Sequence, residues 1–300
     1  MLYNINLNAI LGVLKMENIK TFCLMGVLML IFLFLGNLIA GAEGMKIAFI
    51  ISLAINFYSY FFSDKLVLNH YKAQKVDYNT EPNLYKIVEN LSQKANLPVP
   101  NIYIIPDSVP NAFATGRNPN NSAVAVTQGL LGMLDENELE GVIAHELSHI
   151  KHYDILTGSV AAIFASAIAM IANIARYNVN LRNNNSNNKA NGFLAILAII
   201  LLPIAATIIR LWVSRTREYE ADKKAAYLTQ RPQDLASALL KLDRYAKNYG
   251  MQKATSETAH IFIVSPFSAN RADFSSLFST HPTTEDRIAK LNMLSYQFKN

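Results

Sequence analysis

The stretch Ala144-His145-Glu146-Leu147-Ser148-His149 decides how the rest of this 300-residue chain is read. At 3.6 residues per turn, imidazoles four residues apart stand on one helix face, one turn from each other, where both can reach a single metal ion. Glu146 is turned about 100° from His145, near enough to take a proton from a water at that metal without ligating the metal itself. Asp135, with Glu138 three residues on, is the pattern of a capping box. The spacing therefore predicts a helix from there through His149, with Leu139, Val142, Ile143 and Leu147 packing its other side. With six histidines in the chain, a His-Glu-x-x-His run arises by accident on the order of once in a few hundred such chains. The motif alone thus leaves a purely structural helix open.

A second run, Arg217-Glu218-Tyr219-Glu220-Ala221-Asp222, narrows the choice. Glu218 and Asp222 share a helix face. A hydrolytic zinc site needs a third protein ligand and an open fourth position, and its imidazoles need a partner on the far ring nitrogen. Glu218 as ligand, with Asp222 behind a histidine, meets both needs. Glu220 points about 200° away from Glu218 on the same helix and has no Asp four residues later. His152, seven residues from His145, is about 10 Å along the axis, too far to share bonds of about 2 Å, and reads as an interfacial side chain. His70 and His260 have no ligand-spaced neighbour and read as ordinary surface or interface residues. The single cysteine, Cys23, excludes an internal disulfide and a thiolate cluster. The expectation is one Zn2+ per chain on His145, His149 and Glu218, with Glu146 as the catalytic base.

Outward from these motifs the chain becomes strongly apolar. Apolar residues make up 51% of it, high for a soluble enzyme, and a bilayer core takes roughly 20 of them per helix. Thr21 to Ala40, Ile47 to Phe62, Ile155 to Ala175 and Phe193 to Ile209 carry no charged side chain. The expected fold is therefore α+β, mainly helical, an integral membrane protein with about four transmembrane helices. It divides into a membrane hairpin over 1–64, a first polar part over 65–154, a second hairpin over 155–213 and a second polar part over 214–300. The first apolar run follows Lys15 and Lys20 but exceeds the h-region of a signal peptide, so it reads as an uncleaved anchor. Met1 and Met16 both fit as the start.

Lys15, Lys20, Lys65, Lys72, Lys75, Arg210, Arg215 and Arg217 fall on one side if the spans alternate, whereas the first far-side connector offers only Lys46 against Glu43. The second, Arg182 to Gly192, holds Arg182 and Lys189 in an Asn-rich run. The bias toward one side puts both termini and the polar domain in the cytoplasm. A net charge of +5 suits a face beside anionic lipid, and no basic-plus-aromatic pattern for nucleic acid is present. His149 closely precedes the third apolar run and Glu218 closely follows the fourth, which puts the ligands roughly 10 to 15 Å from the membrane surface. Within the polar parts, a helix is expected over 82–97 and strands over 101–105, 112–115 and 122–127, with a turn over 116–121. Asn111 to Gly116 is expected to be an edge strand that pairs with an extended peptide, a plain core strand being the alternative.

Taken together, these elements resemble the HtpX family of membrane-bound zinc endopeptidases, relatives of the CAAX prenyl proteases. The likeness runs through the N-terminal hairpin, Asn111-Ala112-Phe113-Ala114-Thr115-Gly116, the His145 to His149 motif, the later apolar pair, Ser214 to Asp222, Ser279-Thr280-His281-Pro282 and Arg287-Ile288. The stretch before Met16 and the basic Lys151-His152 depart from it. The resemblance implies a gluzincin-type metalloprotease in a bacterial inner membrane, its catalytic domain facing the cytoplasm. It also implies degradation of misfolded or unassembled membrane proteins alongside other quality-control proteases. By analogy, His281 or Arg287 assists the transition state and Asn111 contacts substrate, with capping or pairing of the last helix as the alternative for the first two. Two other readings stand beside this one. In a CAAX-type prenyl protease, four spans and a short loop would leave little room for a lipid chamber. A non-catalytic membrane scaffold would use a closed, four-ligand structural zinc site.

Overall fold

The computed structural model describes residues 7–160, 215–249 and 282–298. Its first element is a helical tract, Leu7–His70 (α1), folded back on itself at Ala40 and Gly41, where Gly41 takes φ 57°. That left-handed conformation costs glycine little. The two arms pack closely beside the bend because a Cβ on Gly44 would lie 2.2 Å from the Gly36 carbonyl oxygen. Farther along, Asn56 Nδ2 donates to the Met25 carbonyl at 3.3 Å and Phe22 stacks on Tyr60. The outer surface carries Phe22, Leu30, Phe34, Ile50 and Phe57, each more than 60% exposed. A continuous apolar surface of that kind calls for an apolar surrounding.

Ala40–His70 is long and apolar enough to cross a membrane, while the apolar stretch Thr21–Phe34 is shorter. The described residues thus contain one helix of spanning length, where the sequence predicts two in this region. Of the third expected span, only residues 155–160 are described, and they are helical. The fourth, Phe193 to Ile209, lies outside the described residues, as do the Asn-rich connector, His260 and His281.

A four-stranded sheet follows, in the order β1-β2-β4-β3. Its strands are Gln74–Val76 (β1), Asn101–Ile105 (β2), Ala112–Asn118 (β3) and Asn121–Thr127 (β4). Strand β2 runs parallel to β4, and the other two pairings are antiparallel. The β3–β4 hairpin extends further than the expected 116–121 turn, down to Asn118, whose Oδ1 accepts from the Asn121 N–H at 3.0 Å. The short β1, mostly polar and half in solvent, has no alternation that would announce it. Helix Pro82–Ala95 (α2) buries Leu84, Ile87, Val88 and Leu91, the expected period, and stops at Asn96 in a left-handed cap.

After the short helix Gln128–Met133 (α3) comes Glu136–Lys151 (α4), the centre of the core. The capping box forms, with the Asp135 carboxylate accepting from the Glu138 N–H and the Glu138 carboxylate from the Asp135 N–H, both at 3.0 Å. Glu138 is also bonded by Lys241 at 2.6 Å and Ser237 at 2.7 Å. These come from the helix Pro232–Tyr249 (α6). Instead of a single apolar face, α4 is buried almost all round. Val142, Ile143 and Ala144 are 0% exposed and pack with α2, the sheet and α6. Two further helices, Arg215–Thr229 (α5, before α6) and Thr284–Gln297 (α7), close over it. Edge strand β3 lies between α4, against which Ala112 and Ala114 pack, and the end of α1, where Phe113 meets Val67, Leu68 and Tyr71.

Candidate metal centre

Burial of α4 turns the His145–His149 face toward α5 rather than toward solvent. His145 is 2% exposed and Glu218 7%. The two Nε2 atoms lie 3.2 Å apart. Each also faces a Glu218 oxygen, His145 Nε2 at 3.7 Å from Oε2 and His149 Nε2 at 3.7 Å from Oε1. All three candidate ligand atoms fall within 4.8 Å of one another. Tetrahedral bonds of about 2.0–2.1 Å separate ligand atoms by about 3.4 Å, so these residues fit a zinc-sized ion. Among the described residues no fourth ligand closes the set, while Glu146 on the same helix, 5% exposed, stands ready beside it.

A layer of charge lies behind the ligands. His145 Nδ1 is 2.9 Å from Asp222 Oδ1. Asp222 in turn accepts from Arg287 Nε at 2.8 Å and from an Arg287 terminal nitrogen at 2.7 Å. The other terminal nitrogen is 3.9 Å from Glu218 Oε2. Arg287 is only 1% exposed, and α7 carries it in behind Asp222 and Glu218. His149 Nδ1 lies 3.1 Å from Asp154 Oδ2, a partner that sequence reasoning missed. Five residues along an unbroken helix, Asp154 would face away from His149. Only the left-handed turn at Tyr153, φ 63°, returns it.

The proton affinities follow from this crowding. Burial pushes the Glu146 carboxyl above its ordinary range and Glu218 adds to that, against the pull of both imidazoles and of the Ala114 backbone N–H, which donates to it. Burial would lower the His149 imidazole, but Asp154, Glu218 and Glu146 outweigh it and push it up to about 9. Burial would raise the Asp222 carboxyl, yet Arg287 and His145 hold it at about 2. A pocket that draws a proton this strongly onto His149 is one in which a cation is stabilised.

Other candidates take lesser places. Glu220 is exposed on the opposite side of α5. His152 caps α4 and contacts the Lys224 ammonium, and His70 is exposed at the end of α1. Asn111 is buried at the start of β3, its backbone bonded to Thr127 in both directions.

Comparison with known proteins gives a consistent picture. The pattern of peptidase family M48 matches residues 79–295. The protease HtpX homolog of Campylobacter hominis is 60% identical over 277 residues, 92% of this chain and 98% of that protein. That of Sulfurovum sp. is 49% identical over 279 residues, 93% of this chain and 100% of that protein. In fold, the chain is similar to the crystal structure of S. mikatae Ste24p, with a TM-score of 0.50 and 17% identity over 94% of this chain and 67% of that one.

Proposed function

The chain belongs to peptidase family M48 and is a metal-dependent membrane protease, and from that premise we propose that its metal is zinc, held by His145, His149 and Glu218, and that Glu146 is its catalytic base. The observation that carries the reading is the convergence of both Nε2 atoms and the Glu218 carboxylate beside a buried Glu146. Zinc there would supply Lewis acidity, making a water nucleophilic near neutral pH and polarising the scissile carbonyl.

The chain's own groups do the rest. Glu146, with its raised proton affinity, takes a proton from the attacking water and passes it to the leaving amine. The Ala114 N–H steadies its carboxylate between these transfers. Asp222, with an oxygen 2.9 Å from His145 Nδ1, favours the tautomer protonated on that nitrogen and so the one whose Nε2 lone pair is directed at the site. Because β3 has a pairing partner on only one side among the described strands, an extended substrate aligned along it would come to Glu146 without any demand on its sequence. Arg287 holds Asp222, and His281 is proposed from the family resemblance as a donor to the developing oxyanion. Asn111, at the head of the same strand, is the proposed substrate contact.

The wider reading is a four-span protein of a bacterial inner membrane, catalytic domain in the cytoplasm, degrading misfolded or unassembled membrane proteins alongside other quality-control proteases. It is supported by the four uncharged stretches and by the basic residues gathered on one side of them. The test is degradation of an unfolded protein by detergent-purified, zinc-loaded enzyme beside Glu146→Gln. Cleavage by the first and loss of at least 100-fold in the second, with one zinc retained by both, is the expected result. Equal activity would refute the base assignment. Likeness to the Ste24p fold keeps one alternative alive, and cleavage of prenylated peptides but not of unfolded protein would favour it.

A further inference from the structure

We propose that Asp154 is a positioning residue for the metal site, holding His149 from behind, and that it is kept in place by a helical stretch pinned to both the membrane hairpin and the substrate-side strand. The inference rests on the metal-site reading above. It begins from a carboxylate that is 5% exposed and touches both ligand-bearing helices. One Asp154 oxygen lies 3.1 Å from Nδ1 of His149 on α4. The other is 3.8 Å from a terminal nitrogen of Arg217, which precedes Glu218 on α5. A buried carboxylate in that place fixes the imidazole's tautomer and its rotation about the Cβ–Cγ bond, so the Nε2 lone pair points at the metal. Arg217 offsets the cost of burying the charge.

The backbone is built to deliver it. Helix α4 ends at His152, Tyr153 takes φ 63°, and residues 154–160 are helical again. A bulky residue held at positive φ is strained, and such strain persists where surrounding structure fixes it. Here the surroundings are hydroxyl pairs. Thr157 Oγ1 is 2.7 Å from Thr21 Oγ1 on the first arm of α1. Ser159 Oγ is 2.7 Å from Thr115 Oγ1 on β3, one residue beyond the Ala114 N–H that holds Glu146. All four hydroxyl side chains are buried. One short stretch therefore contacts a metal ligand, the strand that steadies the base, and the membrane hairpin.

The test uses the full chain in detergent and measures zinc affinity by competition with a colour-forming chelator, with the visible spectrum of the Co2+ form as a second readout of ligand geometry. Asp154→Asn keeps the shape and removes the charge. Asp154→Glu keeps the charge at the first turn of the stretch, where it favours the helix, but displaces the carboxylate by one methylene. Both are expected to weaken zinc binding by about 10- to 100-fold and to shift the Co2+ spectrum, while the metal-free proteins unfold at the wild-type temperature. Thr157→Val is expected to weaken zinc several-fold, by loosening the stretch without touching the site. Wild-type affinity in Asp154→Glu, or in both Asp154 variants, would reduce Asp154 to a helix-start residue and overturn the proposal. If the wild-type chain itself bound no zinc, or kept it after His149→Ala, the metal-site reading would fall and this inference with it.

Discussion

Glu218 and Asp222 stand four residues apart on α5, yet different groups face them. Glu218 meets two imidazole nitrogens at 3.7 Å, while Asp222 receives two hydrogen bonds from Arg287 and faces His145. Removing Arg287 would leave a buried, uncompensated carboxylate, so Arg287→Met is expected to cost about 3–5 kcal/mol in denaturant unfolding of the metal-free protein. The same pair sets an acid limit. Asp222 titrates near 2 in the folded chain and near 3.9 when unfolded. Its contribution, on the order of 2 kcal/mol, is complete above about pH 4 and is lost as pH falls toward 2. Asp222→Asn should flatten that part of the stability profile of the metal-free protein, and an unchanged acid limb would show that another group sets it. The spacing of Glu218 and Asp222 was legible because a helix repeats by its own hydrogen bonds. Arg287's attachment to Asp222 was not, since 65 residues separate them.

Among the elements, α4 carries most of the site and most of the core. Its start is written locally in Asp135 and Glu138, and Asp135→Ala is expected to destabilise by about 1 kcal/mol. Its middle depends on a neighbour that no local pattern reveals. A Cβ on Gly141 would lie 3.0–3.1 Å from the backbone and Cβ of Leu235, so α4 and α6 approach more closely than a side chain there allows. Gly141→Val should cost about 1–3 kcal/mol through this overpacking, despite the generally poor helix propensity of glycine. A neutral result in thermal unfolding would mean that α6 can shift without penalty. Strands β2, β3 and β4 were readable from alternating and β-branched residues between turn formers. Strand β1 and the parallel pairing of β2 with β4 were not, because pairing is chosen by contacts between strands rather than within them.

At the scale of the whole molecule, the proposed metal joins α4 to α5, which lie on opposite sides of the second apolar pair in sequence. A ligand that binds only the folded state adds stability by mass action, about 2.7 kcal/mol at a hundredfold excess over its Kd. Chelation should therefore lower the unfolding temperature by several degrees in both wild type and Glu146→Gln, with restoration on adding zinc. Unchanged melting after complete zinc removal would refute that expectation. The link has an energetic basis in the crowding of Glu146 beside Glu218, which pushes the Glu146 carboxyl up and is relieved when a cation enters among the ligands.

What the sequence by itself determined about this protein is the set of side chains on each helix face and the apolar stretches suited to a membrane. Helical repeat and bilayer thickness are local or external rules that every segment obeys alone. His145, Glu146, His149, Glu218 and Asp222 were all readable in that way. Tertiary structure alone decided that α4 would be buried almost all round, that Tyr153 would reverse the chain so Asp154 meets His149, and that Arg287 would close behind Asp222. These meetings depend on packing between distant segments, where the free energy lies in mutual burial and compensation of charge, and no repeat within one segment carries that information.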